Sequence, residues 1–333
     1  MSTLILTDLH YTEKPPAMLG HQVRSVCKII NEVRPTSIIF MGDLIMHRKP
    51  SPTVLLALKR TLRAASLHTE DITILRGNHD SETKADDGVT ALSLFDSYAN
   101  IITLFKIDHA TKRIYIPHYE NESKILEYLG KAAEYPEYTV FGHFGYRGCM
   151  NSVGDLDFSL KLSTFKNKTW LGHIHTSVKE GLVTILGTPY TTNFGECDKE
   201  SYYGLIDDDG SETLQVVGHG PRHLRYNIDE LDDDLISYIN DTNYNTYLRL
   251  FVDRLTNESL EAITGGIVKK LEVESVDIKY KPVSLDDDQS NYRPERGLFS
   301  INDVILEDYI DNSNTTLSRE DLIEGLKLLK DEN

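Results

Sequence analysis

Short apolar runs alternate with longer stretches of helical periodicity through the first third of the chain. Leu4 to Thr7 reads as a strand, and Leu19, Val23, Val26, Cys27, Ile30 and Val33 then recur at helical spacing. Ser37 to Met41 (SIIFM) is a second strand. Pro52 to Leu67 reads as a helix, with proline in its first turn and Leu55, Leu58, Leu62 and Ala65 on one face. Ile72 to Leu75 is a third strand. Such alternation predicts an α/β sheet with helices on its faces. In these folds sites form beyond the carboxyl ends of the strands. Asp8, Asp43 and Asn78 each stand just past one of the three.

The second third is richer in strands. Tyr138 to Phe141 runs into Gly142-His143, and Thr169 to Leu171 into Gly172-His173. Further strands are expected at Leu182 to Leu186, Tyr202 to Ile206 and Thr213 to Val217. Two facing sheets with helices outside accommodate this pattern. Around His219 to Asn227 it changes. Tyr247 to Asp253 reads as a strand, Ser259 to Leu271 as an amphipathic helix and Val273 to Tyr280 as a strand, together a small α/β cap. Ser284 to Arg296 is polar, carries Asp286-Asp287-Asp288 and reads as a linker. Two short helices are expected to close the chain, one over about Ile301 to Ile310 and one from Ser318, where Asp321 completes a capping box. The second docks either on a partner or on its own domain. The expected division is therefore 1–222, 223–283 and 284–333.

Composition narrows the setting. The chain has 333 residues and is 40% hydrophobic, as a soluble globular protein is. Its three cysteines, Cys27, Cys149 and Cys197, form no CxxC, so neither a disulfide framework nor a zinc ribbon is indicated. A reducing cytoplasm is the natural setting, the host's if the chain is phage-encoded. No stretch approaches the roughly 20 apolar residues of a membrane span. The formal net charge of −17 argues against a protein that coats nucleic acid. Bound cations or a basic partner would weaken that argument.

The candidate chemistry lies in short polar motifs that follow the strands. These are Asp8 and His10 in TDLH, Asp43 in MGDL, Asn78, His79 and Asp80 in RGNHD, His143 in FGHF, and His173 and His175 in LGHIH. Breaking a phosphate ester needs help for both its attacking and its leaving oxygen. A pair of divalent ions supplies both. In an extended segment His173 and His175 would point to one side. The remaining histidines, among them His21, His68, His118 and His219, match no motif and read as structural or solvated.

This ordered set, D-x-H, G-D, G-N-H-D, G-H and G-H-x-H, resembles the calcineurin-like metallophosphoesterase superfamily. Within it the chain looks most like the SbcD-type nucleases of double-strand-break repair and their phage recombination counterparts. Two further stretches carry that likeness: Arg48 to Pro52 (RKPSP) and Gly187 to Glu196 (GTPYTTNFGE). The resemblance implies a two-sheet metallophosphoesterase sandwich with a cap and a helical tail. It implies one metal on Asp8, His10, Asp43 and His175, and a second on Asp43, Asn78, His143 and His173, most simply manganese. His79 would protonate the leaving oxygen or stabilise phosphoryl charge. Asp80 would either orient the His79 ring or close the turn. One residue departs from the pattern: Met46 stands where the nucleases commonly carry His or Asp, so His47, with Arg48, is the candidate for placing a DNA phosphate.

The implied activity is a manganese-dependent DNA exo- or endonuclease working with an SbcC-like ABC-type ATPase, and family members are often homodimers. Two other readings stand beside it. One is a phosphodiesterase or phosphatase acting on small nucleotides or phosphoproteins. The other is a non-catalytic subunit that regulates an ATPase.

Overall fold

The computed structural model describes residues 2–151, 154–155, 158–197, 199–252, 266 and 268–280. The first part runs β1 (Ser2–Leu6), α1 (Met18–Val33), β2 (Ser37–Phe40), α2 (Pro52–Ser66), β3 (Ile72–Leu75) and β4 (Asn100–Ile102). Then come β5 (Lys106–Asp108), β6 (Arg113–Ile116), α3 (Glu122–Ala132), β7 (Thr139–His143) and a hairpin of β8 (Met150–Asn151) and β9 (Gly154–Asp155). β10 (Thr169–Gly172), β11 (Val178–Glu180), β12 (Val183–Ile185), β13 (Tyr202–Asp207) and β14 (Glu212–Val216) complete the main body. The last part is β15 (Gly220–Asn227), α4 (Asp233–Ile239), β16 (Tyr244–Val252) and β17 (Ser275–Tyr280).

Two six-stranded sheets face each other, one ordered β14-β13-β1-β2-β3-β4 and the other β11-β12-β10-β7-β6-β5. The layer between them is apolar on both sides, with Ile5, Ile39, Met41 and Leu75 meeting Tyr115, Phe141, Trp170 and Leu186. Gly204 makes this layer possible, because a Cβ there would lie 2.7 Å from the Trp170 ring. α1 and α2 cover the outer face of the first sheet through Val26, Ile29, Ile30, Leu58 and Leu62. Ile125 and Leu129 of α3 cover the second. Ser51 caps α2 by accepting from the Val54 N–H, and Pro52 follows at the first helical position, where no amide hydrogen is needed. The expected two-sheet α/β sandwich with flanking helices is the observed fold.

The topology decides where a site can form. β1, β2 and β3 are mutually parallel, and so are β6, β7 and β10. Their carboxyl ends carry the motif loops.

The cap is a parallel three-stranded sheet in the order β15-β16-β17. It begins earlier than the expected boundary at 222/223, because Pro221 and Arg222 already pair with Asn245 and Thr246. β15 escapes an apolar pattern because Arg222 is buried in it. That guanidinium lies between the rings of Tyr238 and Tyr244, at 4.6 and 4.2 Å, and donates to Thr246 Oγ1 and to the carbonyls of Tyr238 and Ile239. Residues 1–281 form one compact unit that contains both sheets and the cap. Most of the helix expected over Ser259 to Leu271 lies outside the described residues, and Val268–Lys270 near its end form a 3-10 turn. The acidic linker and both helices expected at the C-terminus also lie outside them. Among the described residues, no helix is long and apolar enough to cross a membrane.

Candidate metal centre

Each motif residue sits where a strand stops. Four of them, Asp8 (φ 52), His10 (φ 44), Asp43 (φ 52) and His173 (φ 81), adopt left-handed backbone, which non-glycine residues rarely do. The turn at each position bends the chain sharply enough to bring the side chain over the sheet ends. It also corrects one sequence expectation. β10 ends at Gly172, so His173 and His175 are not neighbours on one side of a strand. They enter different parts of the cluster.

The first part is Asp8, His10 and His175. Nε2 of His10 and Nε2 of His175 lie 3.1 Å apart, and both lie within 3.7 Å of Asp8 Oδ1. The other oxygen of Asp8 accepts from Thr7 Oγ1 at 2.7 Å and from the His173 backbone N–H at 3.0 Å. The second part is Asp43, His143 and His173. His143 Nε2 lies 3.3 Å from Asp43 Oδ2 and 3.2 Å from Asn78 Oδ1, and His173 Nδ1 lies 2.8 Å from the same Asn78 oxygen. Asp43 links the two, because its Oδ2 is also 3.8 Å from His10 Nε2.

Outer hydrogen bonds fix which nitrogen each ring offers. Nδ1 of His143 donates to the Met41 carbonyl at 2.7 Å, so in the neutral ring Nε2 carries the lone pair that faces the cluster. Nδ1 of His175 meets the Glu196 carboxylate at 2.6 Å with the same consequence. Glu196 is buried and also accepts from the Thr192 backbone N–H, Thr192 Oγ1 and Asn193 Nδ2.

The electrostatics follow from burial set against neighbours. Burial would push the Asp8 carboxyl up, but the His10 bond and the charges of His143 and His175 bring it down to about 2. Asp43 is likewise held well below the usual carboxylate range, burial being outweighed by His143, His10 and His79. Burial works against charge on His143, yet Asp43 and Asp8 raise it to about 9. His173, buried beside His143, falls to about 4. Divalent cations fit this donor set. The nitrogen and oxygen atoms within each three-residue group lie within 4.8 Å of one another, and a hydrogen bond could serve only one pair at a time. Nδ1 of His10 is buried without a hydrogen-bond partner among the described residues.

His79 stands at the junction of the two parts. Its ring meets His10 edge-on at 4.8 Å, and His10, Asp43 and His79 form a third group of convergent ligand atoms. Its Nδ1 lies 2.5 Å from the Met46 carbonyl oxygen, which leaves Nε2 free. Asp80 does not reach the His79 ring, which corrects the orienting role considered for it. Its fully buried carboxylate accepts from the backbone N–H groups of Asp43, Leu44, Ile45 and Gly77, at 2.7, 3.0, 3.3 and 2.9 Å. It joins the GD loop to the GNHD loop. Gly77 is required where those loops touch, since a Cβ there would lie 2.1 Å from Asp43 Oδ1.

His47 is exposed and does not join the cluster. Arg48 turns toward Glu120, 3.3 Å away. Two residues at the site were assigned no role from the sequence. Glu196 stood in the GTPYTTNFGE stretch without one. His118 packs its ring against those of His173 and His143, at 5.6 and 6.2 Å, and burial with its histidine neighbours pushes it down to about 3. Its one sequence signal is its place two residues past β6, the same offset that Asp8 has from β1.

Solved structures to which the chain is similar include a dimetal phosphatase from Danio rerio. It is 12% identical, with 62% of this chain and 91% of that one covered and a TM-score of 0.36. A cold-active protein-tyrosine phosphatase from a psychrophilic Shewanella species is 10% identical, with 64% and 80% covered and a TM-score of 0.31. No curated protein matches the chain. The model of the calcineurin-like phosphoesterases matches residues 1–249, a span that contains every candidate ligand described above. The chain belongs to the calcineurin-like phosphoesterase family, hydrolases that work with two divalent metals.

Proposed function

We propose that the protein is a manganese-dependent phosphodiesterase acting on DNA, with Asp8, His10, Asp43 and His175 holding one ion and Asp43, Asn78, His143 and His173 the other. When bound, the ions would supply positive charge to the attacking and leaving oxygens of the phosphate. The chain's own residues do the rest. Asp43 ties the two halves together. His175 and His143 present Nε2 because their Nδ1 atoms are occupied. His79, tied at Nδ1 to Met46, has Nε2 with which to give a proton to the leaving oxygen. Arg48 contacts a phosphate.

The observation that carries the choice of DNA is the GTPYTTNFGE stretch. This part of the nuclease resemblance, outside the ligand motifs, supplies the Glu196 carboxylate that grips His175. The cap and the RKPSP segment support the same reading. An SbcC-like ATPase docked on the segment after the acidic linker, and a homodimer through α1, belong to it as well. The acidity of the chain favours a second reading, a phosphodiesterase or phosphatase on small nucleotides or phosphoproteins. Hydrolysis of linear duplex and single-stranded DNA is to be compared with that of a cyclic nucleotide and a phosphopeptide, with manganese and with a chelator. Metal-dependent cutting of DNA above the other substrates is expected. Activity confined to the small substrates would overturn the DNA assignment.

A further inference from the structure

Beside the second metal group lie polar atoms with nothing to bind. Both ring nitrogens of His118 and Nη1 of Arg48 are buried without a hydrogen-bond partner among the described residues. Such groups cost about 1–3 kcal/mol each unless something satisfies them. They are close together because one carboxylate faces both. Glu120 Oε1 lies 3.3 Å from Arg48 Nη2 and 3.8 Å from His118 Nε2, the latter too long for a hydrogen bond. Lys84 approaches the other oxygen of Glu120 at 3.7 Å.

His118 is held firmly in this place. Its backbone N–H donates to the Arg76 carbonyl at 3.0 Å, and its own carbonyl accepts from Arg76 Nη2 at 2.5 Å. The Arg76 side chain also donates to the Thr103 carbonyl and to Ser81 Oγ, so the arginine is spent on structure. The His118 ring leans on His173, and its side chain keeps 14% of its surface open to solvent. An imidazole carries at least one N–H in either charge state, and a guanidinium carries five. Next to cations that draw in a phosphate ester, unpaired donors of this kind suit its non-ester oxygens.

We propose that His118 and Arg48 form a phosphate subsite next to Asn78, His143 and His173, and that Glu120 is the carboxylate which incoming phosphate displaces from Arg48. The inference rests on the reading of the site as a dimetal phosphoesterase centre, not on DNA as substrate. It makes His118 a substrate contact and not a metal ligand.

The test is calorimetric titration of inorganic phosphate into the manganese-loaded full chain, with metal content measured on every variant. His118→Ala and Arg48→Ala are each expected to weaken phosphate binding about tenfold, the worth of a hydrogen bond to a charged group. His118→Gln, which keeps an N–H donor, should recover part of the loss. Glu120→Gln should bind phosphate more tightly, because a competing carboxylate is gone. Lys84→Ala removes an exposed charge and should change affinity by less than about twofold. Metal content should stay at the wild-type level throughout. Unchanged phosphate affinity in His118→Ala would overturn the subsite, and so would loss of metal from that variant. Metal binding without phosphate binding in the wild type would overturn it too. A wild type that binds no manganese would instead refute the dimetal reading beneath it.

Discussion

Glu196 Oε1 and His175 Nδ1 are 2.6 Å apart, the shortest contact between a carboxylate and a cluster imidazole in this site. Glu196 is buried and His175 largely so, and each member shifts the other: Glu196 is held below its usual range and His175 above its own, in both cases against burial. The carboxylate sets the imidazole tautomer, and its loop sets the ring plane. Glu196→Gln should therefore lower manganese affinity at the Asp8–His10–His175 side by about 10–100-fold. The second ion should be little affected, because Glu196 touches none of its ligands. Stepwise metal titration separates the two sites, and an equal loss at both would contradict the assignment.

His79→Ala should leave both ions in place and reduce hydrolysis by about 10²–10⁴-fold, the range for loss of a positioned proton donor. Metal analysis of the purified variant beside its turnover rate checks this. Loss of manganese would place His79 among the ligands, as its convergence with His10 and Asp43 permits.

Asp80→Asn should destabilise the metal-free fold by about 2–3 kcal/mol. The carboxylate faces only N–H donors, and an amide NH₂ in its place would set donor against donor. Denaturant unfolding in chelator measures the loss. Gly77→Ala acts at the same junction, where a Cβ would meet both Oδ1 and the backbone nitrogen of Asp43, and should weaken the fold and metal binding together.

His223 gives the cap a pH dependence of its own. Burial pushes it down to about 4, against the pull of Glu196 and with a smaller push from Arg249. The unfolded histidine takes up its proton near pH 6.5, the folded one only near 4. Between those values the unfolded state holds more protons. Stability present above pH 6.5 is therefore lost as pH falls toward 4, by up to about 3 kcal/mol. A His223→Gln variant should show a shallower fall over that window. Equal slopes would show that His223 does not cause it.

Much of this was legible in the chain. The strands that lead into the candidate ligands are mainly apolar runs ending in a polar motif, and a sheet buried on both faces demands that pattern. Other features follow from contacts distant in sequence. Glu196 meets His175 across a loop, and His118 reaches the cluster only because β6 lies beside β7. Asp80 looked like a partner for its neighbour His79, but its carboxylate is drawn instead to the amides of Asp43, Leu44 and Ile45. β15 was hidden because the energy of burying Arg222 is returned by two tyrosine rings that no local pattern reveals.

The left-handed backbone at Asp8, His10, Asp43 and His173 sets activity against robustness. Each such residue costs of order 1–3 kcal/mol, a cost that glycine would escape. Replacing Asp8 or His173 by glycine would thus relieve the main chain while removing a candidate ligand. Selection for durability alone would drift toward a sturdier, inert protein. The four side chains remain only where the work of the site is itself under selection.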